Sequence, residues 1–443
     1  MRRRELIVAS GGAALLGSGV ASAASAPAAN TSLDARLQQL LTDERFPLAG
    51  LSVLQMRSGK VVHEGFFGQR RFKDERAPDL PVTRDTLFRV ASISKLITGL
   101  GALRLAEMGK LDLDADIGDV LGRTVRNPKF PQDVIHVRDL LSHISSLRDD
   151  GGIAFAPGVS LLDHLSRTPK CWSDEHPPGW FAYCNLGYGL LATVMEKAGG
   201  KRFDLLMQEL VIAPLGMQGG FNGMSFDEVE SANVATLYRK QRIVGEGKEG
   251  KEVWDASAPW AVQADDWRAE PPKDPEGLDA YAIGSNGTVF GPQGRLRTRV
   301  CDLGTVMAML MSGGLHKGQR FLRKASLDRM FSERWRHDMA LGNGDNFGGE
   351  FLAWGIGAQH FIDKSGPGWG DRLIEKGGLQ AWGHLGFAYG LQAGFMLDAS
   401  RQHGIVYVMS GHAADPSRNR GRYSSFSAWE ERLHELLWSS LLA

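Results

Sequence analysis

Ser92-Ile93-Ser94-Lys95 is a place in this sequence where two side chains could do chemistry together. If the segment is helical, Ser92 and Lys95 stand one turn apart on the same face, and the amine reaches the hydroxyl. A serine hydroxyl is a poor nucleophile at neutral pH unless a base lies beside it. A lysine can be that base only where burial or neighbouring positive charge lowers its pKa. Taken alone, the pair reads better as an ordinary helix start, with Ser92 as N-cap and Lys95 in solvent. Two further short patterns lie downstream. Tyr183-Cys184-Asn185 is a Y-x-N just ahead of Leu186-Gly187-Tyr188, and His384-Leu385-Gly386 is a His-x-Gly followed by Phe387. Each is ordinary singly; their order and surroundings together are not.

The elements that must position these residues are legible in the hydrophobic pattern. Leu33 to Glu44 has helical periodicity, and Leu51 to Met56 alternates as a strand, turns over Arg57-Ser58-Gly59-Lys60 and continues from Val61 to Phe67 as a hairpin. From Ser92 to Met108, Leu96, Leu100, Leu103 and Leu105 recur at helical spacing. Val137–Ser142, Leu186–Ala198 and Leu303–Leu310 are further helices. Near the end, Ala381–Phe387, Leu391–Asp398 and Gly404–Ser410 read as strands, before a helix over Ser427–Leu442 with Trp429, Leu433, Leu436 and Leu437 on one face. Strands near both termini with helices between them predict an α/β (α+β) fold: one antiparallel sheet built from both chain ends, flanked by helices, with an inserted all-helical domain. The expected division is 33–115 with 345–443 as the sheet domain and 116–344 as the mainly helical one. Residues 226–280, poor in apolar periodicity, are expected to form a long loop or lid, with Tyr238 helping to anchor it.

Composition narrows the partners. The 443 residues are 43% hydrophobic and 23% charged, as in ordinary soluble proteins, and 51 Lys+Arg balance 51 Asp+Glu. A net charge of zero offers nothing to nucleic acid or an anionic membrane and favours a small or uncharged ligand. Arg2, Arg3 and Arg4, a Gly/Ala-rich apolar stretch and Ala21-Ser22-Ala23 read as an export signal over residues 1–23. Arg3-Arg4-Glu5-Leu6-Ile7 resembles the twin-arginine signature, which predicts a periplasmic or secreted protein. The apolar run is too short to span about 30 Å of hydrocarbon, so no stable membrane insertion is expected once it is removed. Cys171, Cys184 and Cys301 permit at most one bridge, and none is expected. No G-x-S-x-G occurs, and His434-Glu435 lacks the second histidine of a zinc protease.

Several blocks together resemble the class C β-lactamase-like and penicillin-binding-protein-like serine hydrolases. They are Phe88-Arg89-Val90-Ala91-Ser92-Ile93-Ser94-Lys95 with Glu107 to Asp114, Val137 to His143, Pro178 to Tyr188, Pro214 to Met217, and Gly287 to Asp302. The resemblance implies Ser92 as nucleophile, with Lys95 and Tyr183 sharing the proton transfers, Tyr183 as phenolate or relay. Asn185 would orient Lys95 and contact substrate, and the backbone N–H groups of Ser92 and Phe387 would form an oxyanion hole. Gly386 would keep the strand edge clear for substrate. His384 stands where β-lactamases carry a lysine. Histidine is mostly neutral near pH 7. His-x-Gly resembles instead the D-aminopeptidase and family VIII esterase branches, and strong β-lactam turnover is therefore not expected. His143 is expected to be structural, packed behind the site, and Trp382 is expected either in the core or against substrate. The implied activity is cleavage of small esters, amides or D-peptides without metal or organic cofactor. The alternatives are a catalytically weak binding or scaffolding protein of the same fold, or an acyltransferase.

Overall fold

The computed structural model describes residues 31–43, 47–75, 78–245, 251–400 and 402–443; the expected export signal lies outside them. The chain ends do meet in one sheet. Helix α1 (Thr31–Leu41) leads to the hairpin of β1 (Leu48–Arg57) and β2 (Lys60–Arg71), which turns at Ser58 and Gly59, both with left-handed φ. The short β3 (Phe88–Arg89) precedes α2 (Ile93–Glu107), and α3 (Val137–Leu141) and α4 (Asn185–Gly199) follow in the helical region. After β4 (Leu237–Val244), β5 (Lys251–Trp254), β6 (Trp260–Ala264), β7 (Arg297–Thr298) and α5 (Val300–Met311), the chain returns as a meander. Its strands are β8 (Ala381–Ala388), β9 (Leu391–Asp398) and β10 (His403–His412), and α6 (Ala428–Leu442) closes the chain. β10 pairs antiparallel with β1, Met409 opposite Leu51 and Tyr407 opposite Val53.

The central strands β1, β9 and β10 are buried at nearly every position because both faces of the sheet are covered there. Along β10, Ile405, Tyr407 and Met409 point to the layer of α1 and α6, against Leu37, Trp429 and Leu433. The intervening Val406 and Val408 point the other way, into the core shared with Leu96, Leu100 and Leu103 of α2. A period of two thus sends alternate residues into two separate cores. Full burial of each such side chain stabilises the fold by about 1.5–3 kcal/mol, which fixes α2 against β8 and β9.

Residues 226–280 are not simply a loop. β4 pairs with β5 and with β6, and touches β10 through the parallel pair Arg239 and His412. The ribbon reaches into solvent, leaving Ile243, Val244 and Val262 exposed; with neither face fully covered, no apolar alternation marks it in the sequence. Tyr238 does anchor it: the phenol oxygen accepts from the Phe72 amide at 3.1 Å. The sheet also takes in Trp335–Arg336, which pairs with Ala353–Trp354, so sheet structure begins before the expected boundary at 345. Cys171, Cys184 and Cys301 are free and buried.

Candidate active site

Ser92 stands at the start of α2, as its spacing predicts, yet its side chain makes no capping bond. The hydroxyl is therefore left for other work. Ala91, just before it, has φ +46°, a left-handed conformation that costs a non-glycine residue about 1–3 kcal/mol. The strain is held by packing on both sides: Val90 N–H donates to the Leu296 carbonyl, and Gly386 lies against Val90 and Ala91.

Lys95 is fully buried, not solvated. Its Nζ donates to Ser92 Oγ at 3.1 Å, to Asn185 Oδ1 at 2.8 Å and to the Gln293 carbonyl at 2.9 Å. It also lies 4.7 Å from the centre of the Tyr183 ring. Burial lowers its pKa from 10.5 to about 7, the nearby Asp149 carboxylate opposing the shift. At neutral pH a large share of this amine is unprotonated and able to take a proton. The Tyr183 hydroxyl is hydrogen-bonded to Ser92, and burial pushes its pKa upward. Of the two forms expected for Tyr183, the environment favours the neutral phenol over the phenolate. Its ring is stacked on His143 at 4.4 Å and on Phe351 at 4.9 Å. His143, whose Nδ1 accepts from the Cys184 amide, is the structural support expected of it.

Asn185 begins α4, with both ends of its amide engaged: Oδ1 on Lys95, Nδ2 donating to Asp149 Oδ2 at 2.8 Å. Asp149 also accepts from the Leu186 amide at 2.9 Å. This carboxylate, which fixes the Asn185 amide so that its oxygen faces Lys95, was not singled out in the sequence. Asp149-Asp150-Gly151 has the composition of a surface turn, and nothing local ties it to Lys95. The Gln293 carbonyl was missed for the same reason.

β8 forms the opposite wall. Only its first residues have a second neighbour, Gln359–Phe361 pairing with Ala381 to Gly383, so the edge from His384 onward is open beside Ser92. His384 is buried, and its Nδ1–H donates to the Leu385 carbonyl, 2.6 Å away. Burial lowers its pKa to about 3, with the Lys95 charge adding to the shift, so it is uncharged near neutrality. Its ring lines the cleft, and Nε2 has no hydrogen-bond partner among the described residues. Phe387 also lines the cleft and is exposed. Gly386 corrects the expectation that a side chain there would meet substrate. A Cβ at 386 would lie 2.6 Å from the Val90 carbonyl and 3.3 Å from Ala91 Cβ; the glycine lets β8 press against the backbone leading to the nucleophile. Trp382 stacks on His360 and packs against Phe331, as a core residue. The cleft so enclosed, about 860 Å³, is lined by Ser92, Tyr183, Asn185, His384 and Phe387 together.

A family model described as Beta-lactamase matches residues 33–428. The chain belongs to the Beta-lactamase family. Penicillin-binding protein 4 of Amycolatopsis lactamdurans is 26% identical over 228 residues, covering 50% of this chain and 55% of that protein. Esterase EstB of Burkholderia gladioli is 29% identical over 201 residues, covering 42% of this chain and 50% of its own. The chain thus spans about half the length of these curated relatives. The D-amino acid amidase of Ochrobactrum anthropi SV3, solved with L-phenylalanine amide, has a TM-score of 0.62 at 18% identity over 93% of this chain and 98% of that one. That likeness is one of fold. This Beta-lactamase-family chain shares with it the mixed architecture of a large antiparallel sheet flanked by helices.

Proposed function

We propose that the chain is a serine hydrolase that cleaves small esters or amides through an acyl-enzyme on Ser92. The observation carrying this reading is the buried amine of Lys95, 3.1 Å from Ser92 Oγ and with its pKa lowered to about 7. Neutral Lys95 takes the Ser92 proton as Oγ attacks the substrate carbonyl. Lys95 and Tyr183 act as a pair, Tyr183 passing a proton to the departing alcohol or amine as a neutral relay. The Ser92 amide, which engages no acceptor among the described residues, and the Phe387 amide receive the oxyanion; such a donor contributes about 3–4 kcal/mol to the transition state. Water then releases the acyl group by the reverse proton route. Kinship to a penicillin-binding protein and an esterase supports ester and amide chemistry, and uncharged His384 supplies no cation where β-lactamases carry a lysine, which argues against strong β-lactam turnover.

Export by the twin-arginine route belongs to the same proposal, resting on Arg3-Arg4 and Ala21-Ser22-Ala23; sequencing the N-terminus of protein recovered outside the cytoplasm tests it. For the chemistry, the purified protein is given a chromogenic short-chain ester and a fluorophosphonate, and compared with Ser92→Ala. Turnover and labelling in the wild type alone are expected. Equal turnover by both proteins, with no label on either, sinks the proposal.

A further inference from the structure

One wall of the cleft carries positive charge that the protein only partly neutralises. β3 pairs with β7 so that Arg89, three residues ahead of the nucleophile in sequence, lies opposite Arg297. Asp265 bridges them. It accepts from Arg89 Nε and Nη2 at 3.0 and 2.8 Å, and from Arg297 Nε and Nη2 at 3.1 and 2.5 Å. All three side chains are close to fully buried, with exposures of 10% for Arg89, 4% for Asp265 and 8% for Arg297. Two guanidinium groups thus share one carboxylate.

A third guanidinium touches no carboxylate among the described residues, though Asp265 acts on it at longer range. Arg295 Nη1 donates to the Val289 carbonyl at 2.8 Å, and Arg295 forms no ion pair among the described residues. Its side chain lines both the catalytic cleft and a second cavity of about 470 Å³, and Arg89 and Lys273 border the same two spaces. The position is built rather than accidental. Gly291, at φ +57°, leaves room for the stem, since a Cβ there would fall 2.3 Å from Arg295 Cγ. Two residues before Arg295, the Gln293 carbonyl holds Lys95, so the segment is registered to the nucleophile. The acidic groups bordering the cleft are Glu276, exposed on the same rim, and Glu350, near Tyr183. Asp265, Asp266 and Glu270 line the second cavity, where Asp266 is paired with Arg268 and Asp265, held by Arg89 and Arg297, acts on Arg295 only at longer range. None bonds Arg295.

We propose that the junction of the two cavities is an anion subsite, where Arg295, backed by Arg89, receives a carboxylate borne by the substrate. A guanidinium fork matches a carboxylate in two parallel hydrogen bonds, and Arg295, exposed at the junction of the two cavities, is open to such a ligand. His384, uncharged, cannot take this part. The inference rests on the acyl-enzyme reading and names its substrate class: esters or amides with a free carboxylate reaching beyond the scissile bond.

The test compares p-nitrophenyl butyrate with the p-nitrophenyl monoester of glutarate. In wild type the carboxylate ester is expected to have the higher kcat/KM, and added salt lowers that preference. In Arg295→Ala the ratio of the two kcat/KM values falls about tenfold or more, mainly through KM, and Arg295→Lys recovers part of it. A ratio that does not change with Arg295→Ala overturns the subsite. A second arm does not need catalysis: glutarate binding is measured by calorimetry on Ser92→Ala, with and without Arg295→Ala, both checked for an intact thermal transition. Binding that is lost with Arg295 supports the subsite even if neither ester is cleaved. Equal binding, or none to either protein, refutes it.

Discussion

Replacing Lys95 with methionine tests whether the fold bears a thermodynamic cost for its base. The amine is fully buried, and its pKa falls from 10.5 to about 7 on folding. The unfolded chain therefore keeps this proton up to about pH 10, while the folded chain releases it above about 7. Below 7 the penalty is complete; it fades as pH rises toward 10.5, so Lys95 makes stability increase with pH across that window. At 1.36 kcal/mol per unit, the penalty is about 5 kcal/mol at pH 6 and about 2 kcal/mol at pH 9. Methionine removes it but also strips the Asn185 oxygen and the Gln293 carbonyl of a donor, at about 1–3 kcal/mol each. That loss does not depend on pH, so the difference between the two pH values isolates the titration. Urea unfolding of both proteins at pH 6 and pH 9 is expected to show the advantage of Lys95→Met shrinking by roughly 3 kcal/mol at the higher pH. In parallel, wild-type kcat/KM is expected to fall about tenfold per unit below about pH 7 as the amine is protonated. Parallel stability curves for the two proteins, or an activity limb near 10, would mean that the amine is hydrated and that the reasoning fails.

Two other perturbations follow from the packing around Ser92. Asp265→Ala leaves Arg89 and Arg297 buried without their shared carboxylate, so a loss of about 3–5 kcal/mol is expected in urea unfolding; a loss below about 1 kcal/mol would show that the arginines find water or another anion. Gly386→Ala places a Cβ 2.6 Å from the Val90 carbonyl. It is expected to cost about 1–3 kcal/mol and to slow fluorophosphonate labelling of Ser92, by pushing β8 off the strained Ala91. Wild-type midpoint and labelling rate together would refute that account.

Much of the architecture was legible in local pattern. The hairpin of β1 and β2, the meander of β8 to β10 and the helices α1, α2 and α6 fall within a few residues of where periodicity and turn chemistry place them. Each is encoded by neighbours in sequence and by a core on at least one face. The ribbon of β4 to β6 was not legible, because a strand wet at both faces carries no alternation. In the site, the one-turn spacing of Ser92 and Lys95 was visible, and the resemblance drew in Tyr183, Asn185 and His384. Asp149 and Asp265 had no such signal, since their partners lie far away in the chain, and nothing local marks Arg295 as bordering the cleft.

By itself, then, the sequence determined which core-facing segments become helix or strand and which side chains could react, since both depend on residue type and on contacts a few positions away. Tertiary structure alone decided that the amine of Lys95 is dry, that the ring of His384 is buried and that Arg295 borders the cleft with no ion pair among the described residues. Charge state and pairing depend on the water excluded and the dipoles supplied by distant segments, here those of Gln293 and Asp149 around Lys95. A linear pattern does not record which of those segments will close around a side chain.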